Sequence, residues 1–127
     1  MTIKNVLDTL NNLSIITKKT MPATVTYALL KNIKQLEAEQ QCFIELQDTL
    51  LNECVEKTED GSYMAVEDSP NKYVLKEDKV QYYNDEIKKI MSIETTVNIH
   101  KIPFANIANL DLSLEEMAAL EFMIEEE

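Results

Sequence analysis

At 127 residues the chain is sized for one domain, and an apolar share of 45% is too high for a disordered segment. Twelve Lys and no Arg face 23 Asp and Glu, a net charge of −11. Without arginine the chain lacks the planar fork that reads guanine edges and phosphates, and its field repels nucleic-acid backbone, so direct nucleic-acid binding is not expected. No run approaches the ~18 apolar residues of a bilayer span, and Met1-Thr2-Ile3-Lys4-Asn5 does not open a signal peptide, so the expected setting is cytoplasmic, away from membranes.

The charge is uneven. Residues 1–34 carry five Lys against Asp8 alone, and Asp111 to Glu127 carries seven carboxylates with no cation. An anionic face of that kind keeps a protein soluble, or it meets a basic partner.

Ile3, Val6, Leu7, Leu10 and Leu13 recur at helical spacing, with Thr2 placed to cap them. Met21-Pro22 separates this helix from a long second one, about Thr24 to Glu56, free of Gly and Pro. Its apolar face steps through Leu29, Ile33, Leu36, Phe43 and Leu50, interrupted at Gln40 and Gln47 and widened by Ile44, Leu46 and Leu51. Lys31 and Asn32 lie off that stripe and predict a solvated face or a small cationic patch. Cys42 and Cys54 stand about 18 Å apart along the helix, too far for a disulfide, so two reduced thiols that serve packing are expected.

Asp60-Gly61 marks a turn, and Tyr63–Val66 and Lys72–Leu75 predict a β-hairpin around Glu67-Asp68-Ser69-Pro70-Asn71. Counted from Glu56, the ligand positions of a calcium loop fall on Thr58, Asp60 and Glu67, with Gly61 at the sixth place. Glu and Thr stand where Asp or Asn is wanted at the first and third places, which favours a plain turn and no metal.

Val80, Tyr83, Ile87, Ile90 and Met91 return to helical spacing. Ile93, Thr95, Val97 and Ile99 then alternate with Glu94, Thr96, Asn98 and His100, the pattern of a half-buried strand ended by Pro103. Ser113 and Glu116 form a capping box, with Leu112 and Met117 as its hydrophobic staple, for a last helix from Leu114 to about Glu125. The fold class is therefore α+β: one helix-rich domain over residues 1–127, order α-α-β-β-α-β-α, with a long second helix and a small antiparallel sheet.

Catalytic signals are sparse. His100 is the only histidine, which excludes multi-histidine metal sites and histidine-paired triads beyond one; a single glycine excludes phosphate-binding loops. No enzyme and no cofactor are expected. The final helix is apolar around most of its circumference, so either it is buried on both sides, or Phe122 and Met123 stay partly exposed beside Glu121, Glu125 and Glu126. An aromatic and a thioether ringed by carboxylates suit a protein-binding hot spot, and these five are the candidate partner-binding residues.

Tyr27, Lys31-Asn32, Leu36-Glu37, Asp60-Gly61, Ile102-Pro103 and Leu120-Glu121-Phe122-Met123-Ile124-Glu125-Glu126 resemble a family of small phage and prophage proteins of Gram-positive bacteria, domain of unknown function 1617. The resemblance spans about residues 20–126. It brings no catalytic or binding residue and implies a phage setting: an accessory protein, of the virion or its assembly, that binds a protein partner. The alternative is an acidic, anti-CRISPR-like inhibitor of a host defence system that occupies a nucleic-acid channel.

Overall fold

The computed structural model describes residues 1–66 and 69–125, the side chains of 69–71 excepted. Four α-helices carry it: α1 (Ile3–Leu13), α2 (Ala23–Cys54), α3 (Val80–Met91) and α4 (Leu114–Leu120). Four short strands accompany them: β1 (Ala65–Val66), β2 (Ser69–Tyr73), β3 (Ile102–Pro103) and β4 (Ile124–Glu125). The class is α+β and helix-rich, with the long second helix and the small antiparallel sheet (β1 with β2) that the sequence predicts. The chain forms two compact units: Met1–Gln40 with Glu94–Glu127, and Gln41–Ile93.

In the first unit, Thr2 caps α1 by accepting from Asn5 N–H at 3.1 Å, while the Asn5 side chain accepts from Thr2 N–H at 2.9 Å. Val6, Leu13 and Ile16 meet Val25, Ala28, Leu29 and Leu36 of α2 and Ile102, Ile107, Ala119, Leu120 and Met123 in one apolar core.

Asn32 belongs to that core. It is fully buried, so the solvated helix face expected around it is corrected: Lys31 is exposed, Asn32 is not. Its amide is buried at no hydrogen-bond deficit because it clasps one backbone residue. Its Oδ1 accepts from His100 N–H at 2.7 Å and its Nδ2 donates to His100 C=O at 3.0 Å. One turn on, Gln35 repeats the pattern with Asn98: Oε1 accepts from the N–H at 3.0 Å and Nε2 donates to the C=O at 2.7 Å.

Those two amides explain the fate of the strand expected over residues 93–100. The expected burial alternation holds from Thr95 on: Thr95, Val97 and Ile99 are half-buried, while Thr96, Asn98 and His100 are exposed; Ile93, expected on the inner side, is exposed like Glu94. A ladder does not form: among the described residues the backbone pairing consists of an antiparallel bridge, Thr2 to Glu94, with Thr95 N–H donating to Met1 C=O at 2.9 Å, and the parallel pair β3–β4 further on; side chains of α2 fill the place of a partner strand between them.

In the second unit, Phe43, Leu50, Cys54 and Val55 are buried. Ile44 and Leu46 are exposed while Leu51 is half-buried, so the widened apolar face expected for α2 is corrected: of the three positions only Leu51 adds to the buried seam. Cys54 fits the packing role, and burial and the Glu53 carboxylate push its thiol up. Cys42 does not: it is exposed. Both thiols are free.

Beyond α2 the chain enters a turn. Gly61, at φ +85°, takes the left-handed conformation that glycine adopts without strain. Asp60 accepts from Ser62 N–H at 3.1 Å and from the Thr58 hydroxyl, and these bonds hold its carboxyl below the usual carboxylate range. Glu67, the last position of the calcium-loop alignment, lies outside the described residues. The hairpin is tied back to the end of α2 by a cycle of three bonds: Glu56 N–H to Val74 C=O, Val74 N–H to Met64 C=O and Met64 N–H to Glu56 C=O, each 2.7 to 2.8 Å.

Candidate functional site

The candidate partner-binding residues sit where the last helix changes form. Ser113 and Glu116 make the expected capping box: Glu116 N–H donates to Ser113 Oγ at 3.1 Å and Ser113 N–H to Glu116 Oε1 at 2.9 Å. Lys19 adds an ion pair to Glu116 at 3.2 Å. Bonds from Ser113, together with Lys19, hold the Glu116 carboxyl below its ordinary range. Leu112 and Met117, the expected staple, both pack against the core.

The helix does not run to Glu125. It ends at Leu120, tightens to a 3-10 turn over Glu121–Met123, and passes into β4. Three residues per turn place Met123 directly over Leu120, and both are fully buried. Ile124 then turns to extended backbone, φ −93° and ψ 129°, and pairs with Ile102. Core packing and a strand partner outweigh the helical continuation that an apolar run suggests. Leu114, at the other end, is 86% exposed and takes no part in the core.

Met123 is therefore removed from the candidate surface. It has no exposed area, and its Sδ lies 3.7 Å from Asn32 Nδ2. Phe122 is half-buried: one side packs on the core and the rest stays open. Glu121 and Glu125 are exposed, and Glu126 lies outside the described residues. Thus Phe122 and Glu121 remain together, while Met123 is withdrawn beneath them.

Phe122 and Glu121 line an open groove of about 410 Å³ with Lys101, Ala118 and Ile124. The groove carries an ammonium, a carboxylate and an aromatic face, and the Lys101 ammonium forms no ion pair among the described residues. Lys101 is absent from the sequence-derived set. It is the only cation after Lys89 in the chain, a signal available in the sequence but overlooked in favour of the carboxylates. A second groove, about 390 Å³, lies on the other side of Ala118, bounded by Asn11, Asn12, Ser14, Ile15 and Glu115.

Among the described residues no group of three or more His, Cys, Asp and Glu is arranged to hold a metal ion, and no helix is long and apolar enough to cross a membrane. No family model, no curated protein and no solved structure matches the chain.

Proposed function

We infer that the chain is a non-enzymatic accessory protein that works by binding another protein through the Phe122 groove. A half-buried aromatic beside a lysine with no ion pair among the described residues and an exposed glutamate supports the reading. An aromatic ring offers large contact area at little entropic loss, and charges at the rim give orientation. The resemblance of Leu120 to Glu126, among other residues, to a phage family supports a phage or prophage setting, in the host cytoplasm or on the virion. The partner is then a phage structural or assembly protein.

The second reading, an acidic inhibitor seated in the nucleic-acid channel of a defence protein, is favoured by one observation. Asp111, Glu115, Glu121 and Glu125 are all exposed, and no cation occurs between Asp111 and Glu127.

The test compares the wild-type protein with Phe122→Ala in capture from lysates of phage-infected host cells. Phage tail or capsid proteins in the eluate support the accessory reading, and a nuclease released by moderate salt supports inhibition. Phe122→Ala is expected to weaken capture at least tenfold, about 1.4 kcal/mol. Removing a half-buried ring costs about 2 kcal/mol of stability, so unfolding is measured on the same variant. Unaltered capture by the folded fraction would end the proposal.

A further inference from the structure

Between Asp8 and Glu37 the chain has no carboxylate, yet Lys18, Lys19, Lys31 and Lys34 fall there. Lys19 pairs with Glu116; the other three are exposed and form no ion pair among the described residues. A molecule of net charge −11 thus keeps one cationic stretch, and Lys31 and Lys34 present it on the first half of α2.

These two lysines share their helix face with apolar side chains. Leu30 and Lys34 each stand two residues from the buried Asn32, about 160° round the helix from it, and Tyr27 stands five away, about 140° round. That side is turned from the core and from the backbone that Asn32 clasps. Tyr27 and Leu30 are open there, 54% and 49% exposed. Steps of three and four residues, Tyr27 to Leu30 to Lys34, bring them into one row. On one flank the Lys31 ammonium lies 5.6 Å from the Tyr27 ring centre. On the other, Leu30 opens into a shallow cavity of about 130 Å³ with Thr17, Thr26, Leu29 and Ile33.

The chemistry of an occupant follows from the face. An α-helix bonds its own backbone, so α2 offers side chains here and no edge for a strand. A partner covering it must satisfy its own backbone as well, since buried N–H and C=O groups are nearly always paired. A helix does so, and its side chains one turn apart match the spacing of the row. Apolar residues of that helix meet Tyr27 and Leu30. Carboxylates beside them fall within the ~8 Å over which the charges of Lys31 and Lys34 act at physiological salt. An extended anionic surface, nucleic acid or lipid headgroups, fits less well. It reaches past this stretch to residues 35–127, where seven Lys face 22 carboxylates.

We propose that the outer face of α2 at Tyr27, Leu30, Lys31 and Lys34 receives an acidic amphipathic helix of a partner protein. The aromatic and the leucine supply contact area, and the lysines select the partner by charge. This surface stands or falls without the Phe122 groove.

The probe is an end-blocked, fluorescently labelled helical peptide with leucines at helical spacing flanked by glutamates, titrated against the full chain. Saturable binding is expected, weakened about tenfold or more by Leu30→Ser and by the double variant Lys31→Glu, Lys34→Glu. A peptide of the same composition with the leucine spacing scrambled is expected to lose it, and Phe122→Ala to leave it unchanged. Melting is followed on each variant; if Leu30→Ser unfolds early, Tyr27→Ser, at a ring more than half exposed, carries the same test. Absence of binding, equal binding of the scrambled peptide, or indifference to the lysine reversal would overturn the proposal. So would attachment to vesicles of phosphatidylglycerol and phosphatidylcholine that Leu30→Ser abolishes, since the face would then serve a lipid surface. A dimer in native mass spectrometry dispersed by Leu30→Ser would overturn it too, assigning the face to a second copy of this chain.

Discussion

Asn32 is a polar residue placed where an apolar one would continue the buried seam of α2, between Val25, Leu29 and Leu36. Its side chain replaces the hydrogen bonds that a neighbouring strand would give to His100. Asn32→Ala would leave an N–H and a C=O unpaired in a part-buried place, at about 1–3 kcal/mol for the lost satisfaction, with a small cavity besides. Chemical denaturation is expected to show a loss near 3 kcal/mol for Asn32→Ala and clearly less for Gln35→Ala, whose bonds lie at the exposed rim. Equal losses would show that burial does not govern the clasp. Nothing in the sequence near Asn32 reveals this role, because its partner lies 68 residues away. A separation of 91 residues hides the Met123 contact in the same way, and for that reason a thioether that reads as half-exposed on a helix is core. Phe122, by contrast, keeps an open side.

Among the elements, those specified by neighbours in sequence are the ones legible in it. The caps of α1 and α4 are set by residues three apart, and both capping boxes form. Residues 93–100 show the limit of such reading: the burial period of two is visible and holds from Thr95 on, though not at Ile93, but what pairs with the backbone is not. The same holds at the end of α4, where pairing with Ile102 decides that Ile124 is extended. Ser113→Ala is expected to cost about 1 kcal/mol, as loss of a serine cap commonly does. The pH dependence carries a sign. The Glu116 carboxyl is lower in the folded chain than its ordinary value, so its contribution is complete above the ordinary glutamate pKa and fades as pH falls through the folded one. Unfolding measured between pH 7 and about pH 3 should therefore show a smaller acid loss in Ser113→Ala than in the wild type. A parallel pair of pH profiles would show that the box does not hold that proton off.

At the scale of the molecule, a charge of −11 is met by few compensating contacts: four ion pairs occur among the described residues. Self-repulsion then opposes folding. Raising sodium chloride from about 0.01 to about 0.15 M shortens the screening length from roughly 30 to 8 Å, so the melting temperature is expected to rise by a few degrees. A fall would mean that specific pairs outweigh the general repulsion. The α+β class and the long second helix are legible in composition and periodicity, whereas the grouping of residues into two units is not, because it depends on which distant segments meet. One of those units is continuous in sequence, Gln41–Ile93; the other is assembled from Met1–Gln40 and Glu94–Glu127. On the ribosome the two differ in timing. The continuous unit has all its parts once Ile93 has left the exit tunnel. The first helix and the start of the second must wait with Val6, Leu13 and Leu29 uncovered until Ile102, Leu120 and Met123 arrive to close over them. During synthesis, the interval between those two moments is when the nascent chain most needs a chaperone.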